Sequence, residues 1–388
     1  MQTWCRITTV LVFISAMLMG FWIALHKPLW NDEIFSLVSS IHGKSYVELV
    51  LGRAGEGNNS PLFYVLQKSL LQALHYQVPA PWLQGHWGGG DWPSQWIVRI
   101  LPITCMSLSI ALIFYLFARQ YSLWVGAYSL IVYATSYMLW VYWAESRPYA
   151  LIILLTTIQV YLLIGFFQGK INWAKHWWLL AVAHVLLSFT FVLSLGQIAA
   201  ASLITWGMGQ RKWSQYICLM LIPMGLCLFY YSLAPKYAFW FDLTPEQLIR
   251  DNFSREMFYV LFMMTACVLW DWLKDRLPFG KKVASAALAG IRPWIFFTYA
   301  TLVTTVIILL IFQAQASPQH EGFPVTSRYF IYLTPIGVAA SVWFSVAAVR
   351  FLSSWRLIQV VLVGLIAVLF LKRFNKIVFS ALHSITGT

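Results

Sequence analysis

The sequence predicts an all-α integral membrane protein, a polytopic bundle of about eleven transmembrane helices that forms a single domain over residues 1–388. Hydrophobic residues make up 60% of the chain, charged residues make up only 10%, and the mean hydropathy is +0.70. Because one aqueous core cannot bury so much apolar surface, an ordinary soluble domain is excluded. A third observation, the uneven distribution of charge between the apolar stretches, predicts the orientation.

The eleven predicted spans approach the length of about 20 apolar residues that a helix needs to cross a bilayer. The first follows Arg6 as a secretory signal would, but no small-residue cleavage site follows it, so we expect a retained helix. The stretch 177–208 is too long for one helix, and we divide it near Phe191. The spans are 7–25, 96–118, 123–142, 148–168, 177–190, 191–208, 214–233, 257–273, 294–313, 329–349 and 357–371.

Charge in the connecting segments sets the orientation, because Lys and Arg accumulate on the cytoplasmic side. With the N terminus inside, thirteen basic side chains face only Asp271 and Asp275 there, whereas the outer side carries thirteen basic and eleven acidic side chains. The net charge of +13 therefore reflects topology and does not indicate nucleic-acid binding. The end of the chain does not follow this rule. Eleven crossings would place three basic residues outside: Lys372, Arg373 and Lys376.

The hydrophilic residues are unevenly distributed, and three outer segments are of interest, the first being the largest. The first, 26–95, is the candidate catalytic loop, and within it Ser60 and Pro61 are expected to begin an interfacial helix of about fifteen residues. The second, 234–256, contains the capping-box pattern Thr244-Pro245-Glu246-Gln247. The third, 314–328, precedes the tenth span.

Candidate chemical groups cluster at this outer rim. Asp32 and Glu33 follow the first span, and Asp32 suits a general base or a ligand of a divalent cation. Arg147 lies beside Glu145 in the short turn before the fourth span, and its planar fork suits a lipid phosphate. Arg328, at the start of the tenth span, suits an anionic headgroup. Each residue also has an ordinary interpretation as a solvated loop charge or an interfacial anchor.

These clusters together resemble the GT-C membrane glycosyltransferases, particularly the family-39 type that includes lipid A aminoarabinose transferases and protein O-mannosyltransferases. The similarity runs in order through the motifs LWNDEIFSL (29–37), SPLFYVL (60–66), VRILP (98–102), ESRPYAL (145–151) and RYFIYLTP (328–335). Three features depart from the family pattern: Ser60-Pro61 stands where the family often has two prolines, an insertion-like Gly/Trp loop occupies 78–95, and no large soluble domain follows the last span. These departures leave the acceptor open.

The resemblance implies sugar transfer, with inversion, from a polyprenyl-phosphate donor to an acceptor hydroxyl of a lipid, glycan or protein on the extracytoplasmic face. It implies that Asp32 is the catalytic base and that Glu33 completes the acidic motif. Arg147, Arg328 and Tyr329 correspond to donor-phosphate contacts, and Glu145 and Tyr149 to second-loop site residues. A divalent cation, Mg²⁺ or Mn²⁺, is a candidate cofactor with Asp32, Glu145, His320 and Glu321 as candidate ligands.

Two other classes of function stay open: a lipid or solute transporter or flippase, and a noncatalytic lipid-binding assembly subunit. A transporter normally places ionisable groups near mid-membrane depth, where the predicted spans offer little beyond His184, and we expect that side chain to be a hydrogen-bonded packing residue. The short loops fit a multi-pass protein of the bacterial cytoplasmic membrane and cell envelope, with the site facing the periplasm, although eukaryotic reticulum relatives keep that location open.

Overall fold

The computed structural model describes residues 2–56, 58, 60–85, 96–208, 212–234, 239–241, 244–252, 255–274, 291–316, 323–351, 364, 366 and 368–380. Helices form most of this part of the chain, and two strands of three residues each, β1 (Phe239–Phe241) and β2 (Phe323–Val325), pair in parallel. The expected helical architecture is therefore present, with one small sheet that the sequence did not predict.

The α-helices follow one another along the whole chain. In order they are α1 (Gln2–His26), α2 (Asn31–Phe35), α3 (Tyr46–Val50), α4 (Leu62–Ala73), α5 (Ala80–Leu83), α6 (Ile100–Gln120), α7 (Leu123–Ala134), α8 (Tyr137–Tyr142), α9 (Tyr149–Phe167), α10 (Trp173–Thr190), α11 (Leu195–Gly207), α12 (Trp213–Tyr216), α13 (Ile222–Leu233), α14 (Pro245–Asn252), α15 (Arg255–Lys274), α16 (Ile291–Gln315), α17 (Leu333–Phe351) and α18 (368–380). Short π-helical or 3₁₀ segments extend several of them: Ser36–His42, Val192–Ser194, Ile217–Leu221 and Ser327–Phe330.

Five helices among the described residues are long and apolar enough to cross a membrane. They are Thr3–His26, Ile100–Gln120, Tyr149–Phe167, Trp213–Leu233 and Arg292–Gln315, and each corresponds to a predicted span. The apolar helices Leu123–Ala134, Val192–Gly207 and Leu333–Ala347 are shorter. The chain thus has the helices of an integral membrane protein. The count of eleven crossings stays a prediction, and most of the last predicted span, 357–371, lies outside the described residues.

Two breaks in the helices test the predicted boundaries. The division near Phe191 is correct, because α10 ends at Thr190 and Phe191 has extended dihedral angles (φ −158°, ψ 124°). The continuous helix predicted over 123–142 is wrong, since α7 ends before Thr135 and α8 begins after Ser136, while a crossing by this segment stays a prediction. Apolar residues flank this second break on both sides, so hydropathy did not reveal it.

The first helix belongs to the bundle. It packs against α6 so closely that a Cβ atom on Gly20 would lie 2.6 Å from the Ile103 Cγ2 atom. At its C-terminal end, Arg99 donates hydrogen bonds to the carbonyl oxygens of Ala24, Lys27 and Pro28. These contacts satisfy carbonyl groups that a helix end leaves without intrahelical partners.

The central helix of the bundle is α9, which packs against α6, α10, α16 and α17. His184 on the neighbouring α10 is buried, and its ring nitrogens lie 2.7 Å from the Leu219 carbonyl oxygen and 3.0 Å from the Gln159 side-chain nitrogen. The expectation that His184 is a hydrogen-bonded packing residue is confirmed.

The outer segments fold into short helices around the end of the bundle. The first contains α2 to α5, and its predicted interfacial helix is α4, which begins at Leu62 rather than Pro61. Ser60 does not cap that helix, because its hydroxyl donates to the Ser188 carbonyl oxygen at 3.0 Å. The capping box of α14 is confirmed: the Gln247 amide donates to Thr244 Oγ1, and the Thr244 amide donates to Gln247 Oε1.

Candidate functional site

A cavity of about 1380 Å³ opens among the outer segments. Four charged side chains line it: Asp32, Glu56, Arg147 and Arg328. They come from α2, from the loop between α3 and α4, from the turn before α9 and from the 3₁₀ segment before α17. Residues from three distant parts of the chain thus meet in one cavity, as the sequence motifs predicted for Asp32, Arg147 and Arg328.

Asp32 presents its carboxylate to this cavity from the first turn of α2. Its side chain is 43% exposed, and its Oδ2 atom lies 3.1 Å from Arg328 Nη2. The negative charge also lies at a helix N-terminus, although α2 has only five residues. Asp32 therefore combines access to a substrate with a fixed cationic neighbour, and it is the described carboxylate best placed to accept a proton from a substrate hydroxyl.

Arg147 is held in place by the first outer segment. Its Nη1 atom donates to Glu56 Oε2 at 2.7 Å, to the Asp32 carbonyl oxygen at 3.3 Å and to the Ser36 hydroxyl. Glu56 also accepts a hydrogen bond of 2.8 Å from the Ser40 hydroxyl. The guanidinium is thereby oriented before any ligand binds.

Both cavity arginines retain unused donors. The Nε atoms of Arg147 and Arg328 are buried, and neither has a hydrogen-bond partner among the described residues. A buried N–H group without a partner costs about 1–3 kcal/mol, and both of these atoms are closed off from solvent in this structure. Both arginines also line the cavity, and two guanidinium groups in one cavity suit a phosphate.

Glu33 has surroundings opposite to those of Asp32. It is 1% exposed, and its two oxygens accept hydrogen bonds from Arg99 Nε (3.1 Å) and Nη2 (2.7 Å), from the Trp30 amide (3.0 Å) and from the Ser146 amide (2.6 Å). Burial raises the pKa of Glu33, but the charge and hydrogen bonds of Arg99, the charge of Lys27 and the hydrogen bond from Ser146 together outweigh burial, so the pKa is lowered overall. Glu33 does not line the cavity, and a direct catalytic role does not fit this geometry. It links the first outer segment to Arg99 and to the turn before α9, which contains Ser146.

Glu145 lies beside Lys27, with 3.7 Å between Glu145 Oε2 and Lys27 Nζ. It is fully buried, and neither of its oxygens has a hydrogen-bond partner among the described residues. Burial raises the pKa of Glu145 to about 7, although Lys27 opposes this shift. Burial likewise lowers the pKa of Lys27, against the charges of Glu145 and Glu33. Glu145 is therefore a buried neighbour of Lys27 and does not line the cavity.

Some of the remaining predicted site residues line the cavity and others do not. Tyr149 and Tyr329 line the cavity, and the Arg328 guanidinium lies 5.5 Å from the centre of the Tyr329 ring. Of the four candidate cation ligands, Asp32 faces the cavity and Glu145 does not, while His320 and Glu321 lie outside the described residues. Within the described ranges, no three His, Cys, Asp or Glu side chains form a group that could hold a metal ion. The cation stays a prediction.

Sequence reasoning missed Glu56 and Arg99. Glu56 lies in the Gly- and Asn-rich sequence 55–59, and an acidic residue in such a stretch of the candidate catalytic loop is a signal that could have identified it. Arg99 begins a predicted span, where an arginine is costly unless it has a partner. Neither signal identifies the partner, which is distant in the sequence.

The other end of the cavity is apolar. Val192, Leu193, Tyr231, Phe312 and Gln315 line it there, and the same five residues line a second cavity of about 200 Å³ between α11, α13 and α16. The lining of the second cavity is almost entirely apolar. One continuous surface thus leads from four charged side chains to an apolar groove between helices that are long enough to cross a membrane or pack against such helices.

Comparisons with known proteins add no identification: no family model matches the sequence, and no curated protein matches it.

Proposed function

We propose that this protein is a membrane glycosyltransferase that transfers a sugar from a polyprenyl-phosphate donor to an acceptor hydroxyl at the extracytoplasmic rim. The observation that carries the proposal is the joining of charged and apolar surfaces in one cavity. A polyprenyl-phosphate sugar has the same division, with an anionic headgroup and a long apolar tail. The resemblance of the motifs to GT-C glycosyltransferases supports the same reaction.

In the proposed reaction, Asp32 accepts the proton of the acceptor hydroxyl as its oxygen attacks the anomeric carbon. The bond between that carbon and the phosphate oxygen breaks, and the polyprenyl phosphate leaves with the electron pair. Attack from the face opposite the phosphate inverts the anomeric configuration. Negative charge grows on the departing phosphate, where the positive charges of the two cavity arginines, Arg147 and Arg328, stabilise it.

Glu56 and Glu33 act on this chemistry through other residues. Glu56 orients Arg147, and Glu33 joins the backbone near Asp32 to the backbone beside Arg147. Preorganised donors stabilise a developing charge better than mobile ones, because no reorganisation is needed during the reaction. Glu56 and Glu33 thus help to position Arg147 and the backbone near Asp32.

The test uses the purified full-length chain in lipid nanodiscs with a panel of polyprenyl-phosphate sugars, and it measures release of polyprenyl phosphate. Asp32→Asn is expected to lower the rate by about 10²–10⁴-fold, the usual contribution of a general base, while donor binding persists. The matched control is Glu246→Gln, which neutralises an exposed carboxylate on α14 outside the cavity and should not change the rate.

Each result separates this proposal from the alternatives. Donor consumption that Asp32→Asn leaves unchanged would remove the base assignment. Donor binding without consumption by the unmodified protein, in the presence of lipid, glycan and peptide acceptors, would favour a noncatalytic lipid-binding subunit. Movement of the intact donor across the bilayer without release of polyprenyl phosphate would favour a flippase.

A further inference from the structure

Building on the proposed function, we propose that Trp30 is the platform on which the sugar of the donor stacks, so that this side chain recognises the pyranose ring separately from the lipid phosphate. Trp30 lines the cavity together with Asp32 and Arg328. It immediately precedes α2, whose first turn carries Asp32. A sugar attached to a phosphate at the arginines would therefore lie within reach of both the proposed base and this indole ring.

Trp30 and Tyr231 are the exposed aromatic residues of the cavity lining, whereas Phe35, Phe312 and Tyr329 are half-buried and the remaining rings are buried. Trp30 is 43% exposed, whereas Tyr64, Tyr149, Phe191 and Phe330 are at most 2% exposed. Tyr231 is similarly exposed, but it lies at the apolar end and also lines the second cavity. At the charged end, Trp30 thus offers a large exposed ring beside Asp32.

The backbone and ring of Trp30 are both held in place. Its amide donates to Glu33 Oε2 at 3.0 Å, and Glu33 is itself fixed by Arg99. Lys27 Nζ lies 4.9 Å from the ring centre, in a cation–π contact that helps to set the orientation of the ring. A ring that is held before binding loses little conformational freedom when a ligand stacks on it.

The chemistry of the ring suits a pyranose. The face of an indole carries negative partial charge, and the C–H groups on the apolar face of a sugar carry positive partial charge. Ligand sites commonly combine such apolar surfaces with a few polar groups that fix orientation. Asp32 and the arginines supply those polar groups, and they would hold the hydroxyl and phosphate sides of the same ligand.

The experiment compares two lipids with the full-length chain in nanodiscs: a short-chain polyprenyl monophosphate, and the same lipid phosphate carrying a mannosyl, glucosyl or aminoarabinosyl group. Binding of each is measured by isothermal titration. Trp30→Ala is expected to weaken binding of at least one sugar-bearing lipid by about tenfold, because a large stacking surface is lost, and to change binding of the bare phosphate by less than about twofold. Trp30→Phe should recover part of the loss.

The matched control is Trp124→Ala, since Trp124 is 85% exposed on α7 and does not line the cavity. It should change the binding of neither lipid. If Trp30→Ala weakens the binding of both lipids equally, or weakens the binding of no sugar-bearing lipid, Trp30 is not the surface on which the sugar stacks. Either result leaves the proposed function intact. Failure of the unmodified protein to bind either lipid would overturn both proposals. If Trp30→Ala does not fold, Trp30→Phe and Trp30→Leu are used instead. The proposal is contradicted if both variants prefer the sugar-bearing lipid over the bare phosphate as strongly as the unmodified protein does.

Discussion

Asp32 and Glu33 show how far two adjacent carboxylates can differ. The sequence motif presents them as a pair, but one side chain faces the cavity and the other accepts four hydrogen bonds inside the protein. The identities of Asp32, Arg147 and Arg328 as cavity residues could be predicted from their positions next to spans. The different roles of Asp32 and Glu33 could not, because they depend on Arg99, which is 66 residues from Glu33.

Glu56 was missed for the same physical reason. Its partner Arg147 is 91 residues away, and nothing in the local pattern of either residue indicates that they meet. Hydropathy locates the helices that carry such residues, whereas the packing of those helices decides which charges become neighbours. Contacts between distant segments are therefore the part of the site that this sequence did not reveal.

Removing the charge of Glu33 should destabilise the fold. Glu33→Gln leaves Arg99 charged and fully buried without its carboxylate partner, and breaking a buried ion pair in this way typically costs about 3–5 kcal/mol. We expect a lower midpoint of thermal unfolding in detergent. Glu246→Gln, at an exposed position, should unfold like the unmodified protein. A Glu33→Gln variant of unchanged stability would show that the ion pair is not needed.

Glu145 should make stability depend on pH. The pKa of its carboxyl is about 7 in the folded protein, against an ordinary value of 4.5, because burial disfavours the charged form. The stability contributed by the protonated carboxyl is fully present below the ordinary pKa and is lost as pH rises through about 7. Lys27, Glu33, Arg147 and Arg328 are the charged groups that act on it.

The corresponding measurement compares thermal unfolding of the unmodified protein with that of Glu145→Gln between about pH 5 and pH 8. At about 1.4 kcal/mol per pKa unit, the unmodified protein should lose about 2 to 3 kcal/mol relative to the variant over this range, because part of the effect is already lost at pH 5. A stability difference that stays constant with pH would contradict the raised pKa.

At the scale of elements, the length and apolarity of the helices were predictable, and their interruptions were predictable only in part. The break at Phe191 followed from a stretch too long for one helix. The break at Thr135 and Ser136 did not, because the interrupted stretch has the length of a single span. Similarly, hydropathy identified α1 as a span but gave no indication of how closely it packs against α6.

Gly20 tests that close packing. A Cβ atom there would lie 2.6 Å from Ile103 Cγ2 and 2.9 Å from Trp143 Nε1, so Gly20→Ala must displace α1 or its neighbours. We expect a loss of about 1–3 kcal/mol, as for other overpacked cores, measured as a lower unfolding midpoint in detergent.

Gly225 provides the control, since a Cβ atom at this position in α13 would meet nothing within 4 Å. Gly225→Ala should be neutral or slightly stabilising, because alanine favours helix. If Gly20→Ala and Gly225→Ala change the unfolding midpoint equally, α1 and α6 do not pack closely at Gly20.

At the scale of the whole molecule, one ion pair bears on the topology. Arg373 Nε on α18 lies 3.7 Å from Glu256 Oε2 at the beginning of α15. Just before α15, the Asn252 side chain donates to the Ser327 carbonyl oxygen, next to the cavity residue Arg328. Arg373 therefore lies at the same end of the bundle as the cavity, which agrees with the eleven-span topology that placed the last basic residues outside.

Cysteine labelling tests this arrangement. In a background without the native cysteines, Lys376→Cys on α18 and Ser45→Cys in the first outer segment should both react with a membrane-impermeant maleimide added to intact cells. Lys175→Cys, at the predicted cytoplasmic start of α10, should react only after permeabilisation. Protection of Lys376→Cys in intact cells, with labelling of Ser45→Cys, would place α18 on the opposite side.

The distribution of the cavity residues along the chain has a consequence for biosynthesis. Asp32 is made early, but its partner Arg328 belongs to the last fifth of the sequence. A nascent chain that is still being inserted thus carries the carboxylate without the guanidinium opposite it. The cavity is completed only when the segment before α17 emerges from the ribosome and packs beside Asp32, so partly synthesised chains and truncated products should be inert.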